Sequence, residues 1–242
     1  MKLIDNLGGN ELLTPRLLLK SGILEAYWGK GFEDFYGHPN KREELEPQIT
    51  GWNMRFPQAK INLDFNKGKE ILDDILLYTD NLDKARKKGI SILLFGPNGT
   101  GKTLLACCIL KVALLKGYSA QMTSLGGIIE AYTDGWTEYN KREKFNKRIK
   151  NVDFLLVDDV GKEYRAKSND LTEIAFDNLI RYRTFRHKPF ILTTNASSET
   201  LHNTYGRSLM SLVYGKCLSV FVDGVDYRSA IQAKNIRSEL IN

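Results

Sequence analysis

An α/β fold, with a parallel sheet flanked by helices, is what this 242-residue sequence predicts, and three observations carry the expectation. Short apolar runs at 91–95, 118–123, 152–157, 189–194 and 217–222 alternate with stretches of helical periodicity. Strands that alternate with helices close into a parallel sheet with right-handed crossovers. The run Val152-Asp153-Phe154-Leu155-Leu156-Val157 is mostly apolar, which suits a central strand covered on both faces. Polar or glycine-rich clusters follow three of the runs, and an open α/β sheet gathers its ligands at the carboxyl ends of its strands.

Taken in chain order, residues 1–20 hold Leu12-Leu13, Pro15 and Leu17-Leu18-Leu19, set off by Ser21-Gly22. This short greasy segment suits either a partner or packing on its own core. Gly37, Pro39, Pro47, Gly51 and Pro57 predict an irregular connection over 36–59. Ile71, Ile75, Leu76 and Leu82 recur at helical spacing between 62 and 88 and predict the helix that leads into the first strand. The core then reads strand 91–95, helix 103–116, strand 118–123, helices within 125–149, strand 152–157, helix 169–186, strand 189–194, helix 199–213 and strand 217–222.

Between the first strand and its helix stands Gly96-Pro97-Asn98-Gly99-Thr100-Gly101-Lys102-Thr103, the pattern G-x-x-x-x-G-K-T. Backbone N–H groups cradle phosphate oxygens only where glycines let the chain turn without side chains intervening. In that reading Lys102 reaches the β- and γ-phosphates, the Thr103 hydroxyl ligates Mg²⁺, and the following helix offers free amides and its positive dipole end. The motif predicts a nucleotide with Mg²⁺ as the ligand.

The strand 152–157 runs into Asp158-Asp159-Val160-Gly161. Asp158, first after the strand, is placed to hold Mg²⁺ through water, and Asp159 to polarise the attacking water as a general base. Asp also caps helices and starts turns, so the phosphate loop upstream is what gives the pair its chemical meaning. Pro189-Phe190-Ile191-Leu192-Thr193-Thr194-Asn195 ends at the same sheet edge. Asn195 either orients the lytic water and senses the γ-phosphate or serves as a plain helix N-cap ahead of Ser197-Ser198-Glu199.

The loop at 96–103, the strand ending Asp158-Asp159-Val160-Gly161, and Thr193-Thr194-Asn195, in that order, resemble the AAA+ ATPases of the DnaC/DnaI helicase-loader and IstB transposition-helper family. The likeness spans roughly residues 20 to 230. Gly22 to Trp28 with Phe32-Glu33-Asp34-Phe35 looks like the family segment that packs near the adenine, and Val222-Asp223-Gly224-Val225-Asp226-Tyr227-Arg228 like its C-terminal motif. The resemblance implies ATP as the nucleotide, Asp159 for catalysis, Asn195 for sensor 1, Arg228 for sensor 2, and Arg207 as the arginine finger acting across a subunit interface. Asp159 departs from the Glu that many AAA+ proteins carry there, which implies slow turnover. The implied fold is a P-loop NTPase sheet with a short N-terminal extension and a minimal C-terminal lid. Residues 1–60 are expected as a partner-binding segment and linker, and 61–242 as the AAA+ ATPase domain.

A chain of this length with 42% hydrophobic residues buries one substantial core. Cys107, Cys108 and Cys217 are neither even in number nor spaced as metal ligands, and read as buried thiols of a reducing cytosol. No membrane span or secretory signal is legible, so a cytoplasmic protein without a membrane partner is expected. The net charge of +6 favours a polyanion. Lys141, Arg142, Lys144, Lys147, Arg148 and Lys150 are crowded into ten residues behind Trp136 and Tyr139, as single-stranded nucleic acid requires. The same stretch also fits a solvated helix face with Phe145 and Ile149 docked on the sheet. A second basic run, Arg181 to Lys188, ends a helix where cations meet the C-terminal dipole.

The function these readings predict is an ATP-dependent helicase loader. It binds single-stranded DNA, self-associates when ATP-bound and delivers a hexameric replicative helicase. The alternatives are an IstB-like helper of a transposase and a nucleotide-gated DNA-binding scaffold with little turnover. A small-molecule kinase is disfavoured because no lid with convergent arginines follows the core.

Overall fold

The computed structural model describes residues 7–55, 57–58, 60–137, 139–161 and 170–226. Strands Ser91–Phe95 (β1), Ala120–Ser124 (β2), Phe154–Asp158 (β3), Phe190–Thr194 (β4) and Cys217–Phe221 (β5) form one sheet. The order is β2-β3-β4-β1-β5, and every pair is parallel. Because β4 lies between β1 and β3, Thr193 pairs with Leu94 on one side while its strand flanks Asp158 on the other.

Alternation along the strands sends side chains to two separate cores. Ile92, Leu94, Phe154 and Leu156 pack with helices Phe65–Asp80 (α3) and Lys102–Leu115 (α5). Leu93, Leu155, Val157 and Leu192 pack with Leu125–Thr137 (α6), Asp170–Phe185 (α8) and Ser198–Lys216 (α9). Helix α5 is buried almost all round, which its apolar sequence requires. The chain reaches α3 through Pro15–Lys20 (α1), one-turn helices Glu25–Tyr27 and Phe32–Asp34, and Pro39–Arg55 (α2). Leu82–Lys88 (α4) precedes β1, and Tyr139–Phe145 (α7) runs into a π-helical turn, Asn146–Lys150, before β3.

Two expectations are corrected. The stretch 36–59 is not irregular, since α2 is a 17-residue helix with Pro39 in its first turn and Pro47 inside. Leu45 is buried and Ile49, four residues on, packs beside it, so helical spacing outweighs the donor that Pro47 lacks. The single helix expected over 62–88 is two, broken at Asn81 and closed by Gly89 in the left-handed conformation (φ 68°).

The N-terminal segment is bonded to the core. Leu7, Leu13, Leu18 and Ile23 belong to the same buried cluster as α5, while Leu12 and Leu19 stay 70% exposed. Lys111, fully buried on α5, donates to the carbonyls of Tyr27 (2.6 Å), Trp28 (2.7 Å) and Lys30 (2.6 Å). Its ammonium thus closes the C-terminal end of the first one-turn helix, where partial negative charge collects. Among the described residues no helix is long and apolar enough to cross a membrane.

Candidate nucleotide site

The loop Gly96–Thr103 leaves the carboxyl end of β1 and enters α5 at Lys102. Gly96 (φ 143°), Gly99 (φ 73°) and Gly101 (φ 96°) take backbone conformations that side chains resist. A Cβ would overlap the Val222 carbonyl at Gly96 and the Asp226 carboxylate at Gly99, so the loop also needs the space. Lys102 is 6% exposed, and its ammonium donates to the carbonyls of Gly96 (2.9 Å) and Pro97, held inside the turn. Thr100 closes the loop by donating to the Pro97 carbonyl at 3.0 Å.

Asp158 is the last residue of β3 rather than the first beyond it. Its Oδ1 accepts from the Thr103 hydroxyl at 3.0 Å and from the Thr193 hydroxyl at 2.5 Å. Thr193 in turn accepts from the Asp159 amide at 2.8 Å, so one buried hydroxyl fixes both members of the acidic pair. Asp159 has φ 59°, a left-handed conformation that Asp tolerates better than most residues. The next turn is tied down from β4 and α9. The Val160 amide donates to the Thr193 carbonyl (2.8 Å), the Thr194 hydroxyl to the Val160 carbonyl (2.6 Å), and the Gly161 amide to the Tyr205 hydroxyl (3.0 Å).

Asn195 reaches the loop, where its side-chain NH₂ donates to the side-chain oxygen Oδ1 of Asn98. It is not the helix cap. Ser197 fills that role, accepting from the Thr200 amide at 3.1 Å. On the opposite flank the Phe35 ring lies against Gly101, and the Tyr36 hydroxyl donates to the Asp223 carbonyl at 2.7 Å. Burial, aided by Asp223 and Asp64, pushes the Tyr36 hydroxyl up to about 12. Asp223 also pairs with Lys67 at 2.5 Å, which holds its carboxyl below the usual range. A mostly apolar cleft of about 610 Å³ opens beside Pro97 and Asn195, lined by Leu93, Phe95, Leu201, Tyr214 and Phe221.

Arg207 is exposed on α9, just past a kink at Gly206 (φ 78°, ψ 152°), and lines a shallow surface cleft with Glu199, His202, Asn203 and Ser211. Arg228 falls outside the described residues. Arg142, Lys144, Lys147 and Arg148 are exposed and Lys141 is half-buried, while Ile149 is buried and the Phe145 ring meets Tyr132 at 5.8 Å. The helix-face reading and an exposed row of cations therefore hold together. The Trp136 side chain falls outside the described residues.

Sequence reasoning missed several anchors. Thr193 and Thr194 were signalled only as hydroxyls closing an apolar strand, Tyr205 by nothing local, and Lys111 by a lone cation in an apolar helix. Arg183, in the second basic run, is fully buried. Its guanidinium donates to the carbonyls of Ile149 (3.2 Å), Lys150 (3.2 Å), Val152 (3.0 Å), Asp153 (3.2 Å) and Pro189 (2.5 Å). Burial lowers it to about 9, still cationic at neutral pH, and it ties the π turn to the starts of β3 and β4.

Comparison with known proteins agrees with this architecture. Residues 57–229 match the family model described as IstB-like ATP binding protein. The replicative helicase loader DnaC of Escherichia coli K12 is 26% identical over 146 residues, 60% of this chain and 58% of that protein. The chain thus spans less than two thirds of the length of that relative. The crystal structure of the DnaC helicase loader superposes with a TM-score of 0.59 at 23% identity, covering 67% of this chain and 93% of the other. The replication initiator DnaA bound to AMPPCP and single-stranded DNA follows at 0.54 and 23%, covering 69% and 50%. These likenesses establish the fold.

Proposed function

This chain belongs to the IstB-like ATP-binding protein family, an AAA+ lineage, and from that premise we propose that it is an ATPase of the helicase-loader type. The observation that supports this best is the hydroxyl–carboxylate chain Thr103–Asp158–Thr193, which joins the phosphate loop to the acidic pair. In this reading the amides of Gly96–Thr103 receive the β- and γ-phosphates, and Lys102 turns from loop carbonyls to phosphate oxygens. Thr103 and Asp158 hold Mg²⁺. Their oxygens are hard donors 3.0 Å apart, and no group of three His, Cys, Asp or Glu side chains gathers as a metal cage among the described residues. Magnesium is commonly held in this way, by one or two protein oxygens with phosphate and water completing the shell. When bound it neutralises charge on the bridging and γ-phosphate oxygens.

Asp159, fixed by Thr193, accepts a proton from the attacking water, and Asn195 orients that water or registers the γ-phosphate. The water oxygen attacks the γ-phosphorus. The bond to the β–γ bridging oxygen breaks, its electron pair leaves with ADP, and the proton passes from Asp159 to solvent. Arg207, exposed on α9, serves a neighbouring subunit's nucleotide, and Arg228 acts as the second sensor. ATP-bound copies associate, contact single-stranded DNA through Lys141, Arg142, Lys144, Lys147 and Arg148, and deliver a hexameric replicative helicase. Service to a transposase is the second reading, supported by the IstB-like family match.

An ATP-dependent pull-down from source-cell lysate with Asp159→Asn protein, partners being identified by mass spectrometry, tests this. The loader reading expects a replicative helicase to be retained with ATP and lost with ADP. A transposase moves the protein to the second reading, and no ATP-dependent partner sinks both.

A further inference from the structure

We infer that the edge of the sheet where the strands begin, opposite the nucleotide site, is a binding surface for single-stranded nucleic acid. All five strands run the same way, so this edge lies about 15 Å of strand from the phosphate loop. The end of α4, the end of α8 and the π turn converge there. Arg86 on α4 donates to the His187 carbonyl at 3.1 Å, and Gly89 lies so close to His187 that a Cβ would approach its Cα to 2.9 Å. Lys188 donates to the Asn151 carbonyl at 2.6 Å, and the Tyr182 hydroxyl to the Asn151 side chain at 2.8 Å. The Lys150 ammonium sits 4.2 Å and the Arg186 guanidinium 5.8 Å from the Tyr182 ring centroid.

These contacts assemble a surplus of positive charge. Lys87, Lys88 and Arg186 are exposed, and none of them is in an ion pair among the described residues. Two carboxylates near this edge are already engaged. Asp153 accepts from Arg86 (2.9 Å) and Ser119 (2.6 Å), Asp83 from Lys116 (2.7 Å) and Tyr118 (2.6 Å). Lys188 reports the same crowding. Desolvation, then the cations Arg86, Arg183 and Arg186, lower its pKa below the ordinary lysine value despite Asp153.

An aromatic group selects the ligand. Phe185, next to Arg186 at the end of α8, is 80% exposed. Cations that neutralise phosphates beside an exposed ring on which a base stacks are the two components of sequence-tolerant single-strand binding. The buried Arg183 helps to secure the π turn and both strand starts, while Phe185 and Arg186 beside it stay exposed. The inference rests on the proposed function only in expecting a single strand. It adds a surface distinct from Arg142 and Lys144 on α7.

The test is fluorescence anisotropy of the full chain with labelled oligothymidylate and a matched duplex, titrated across salt. Lys87→Glu/Lys88→Glu/Arg186→Glu is expected to bind the single strand at least ten-fold more weakly. Its slope of log K against log salt should flatten by about 2, roughly 0.7 for each cation removed. Phe185→Ala should weaken single-strand binding about five-fold or more and leave the duplex unchanged. The charge-keeping Lys87→Arg/Lys88→Arg/Arg186→Lys should bind as wild type, and all variants should bind a fluorescent ATP analogue normally. Wild-type affinity in the triple glutamate variant, with binding lost instead in Arg142→Glu/Lys144→Glu, overturns this surface and leaves the proposed function standing. Equal displacement of the oligonucleotide by polyglutamate, with Phe185→Ala silent, overturns it in favour of an acidic protein.

Discussion

Replacing Thr193 by Val removes one buried hydroxyl without opening a cavity, and two bonds go with it. Thr193 donates to Asp158 at 2.5 Å and accepts from the Asp159 amide at 2.8 Å. A hydrogen bond to an ionised carboxylate contributes about 1.5–3 kcal/mol, and an amide left without a partner costs about 1–3 kcal/mol. Asp158 and Asp159 are only half-buried, so water recovers part of this, leaving a net loss of about 2–3 kcal/mol. For a chain of this size each kcal/mol moves the melting temperature by about 2–4 °C, so Tm should fall by about 4–12 °C. The loop amides and Lys102 are untouched, so ATP affinity should hold while kcat drops about ten-fold or more through the misplaced Asp159. Differential scanning fluorimetry, nucleotide titration and a phosphate-release assay read the three quantities, and Thr193→Ser should restore all of them. Unchanged kcat with a Tm shift below about 1 °C would show that the hydroxyl does not position the acidic pair.

Lys111→Met should release the segment around Tyr27–Lys30, at a cost of about 2–4 kcal/mol for three lost charge-assisted bonds offset by one less buried charge. Limited trypsinolysis should then cut at Lys30 well before the wild type is cut, and identical digestion patterns would refute the anchor. Burial pushes the Cys107 thiol up to about 12 and raises Cys108 and Cys217 as well. A raised thiol pKa disfavours the thiolate, the reactive form, at every pH below the shifted value. Cys107 and Cys108 should therefore resist Ellman's reagent in mildly alkaline buffer until the protein is unfolded in guanidinium, and rapid native-state labelling of either would contradict their burial.

The strand–helix alternation, the glycine loop and the Asp pair were all legible because each depends on neighbours in the chain. Phosphate cradling needs glycines at fixed offsets, and a buried strand needs a continuous apolar run. The segment 36–59 misled for the complementary reason: its three prolines and two glycines spoke locally for a loop, whereas burial of Leu45 and Ile49 against the core decided for α2. Asn195 stood open between two roles until the fold gave the cap to Ser197 and brought Asn195 to Asn98.

By itself the sequence determined the sheet's composition and which loop carries the glycine-rich turn between β1 and α5, since local spacing and periodicity suffice for both. Only the tertiary structure decided that β4 lies between β1 and β3, which lets Thr193 bridge Asp158 and Asp159. It alone turned Arg183 and Lys111 inward as structural cations and left Arg186, Lys87 and Lys88 outward on the far edge. The physical reason is common to all of these: whether a polar side chain is buried depends on carbonyls and hydroxyls supplied by distant parts of the chain, and that supply is set by strand order rather than by sequence spacing.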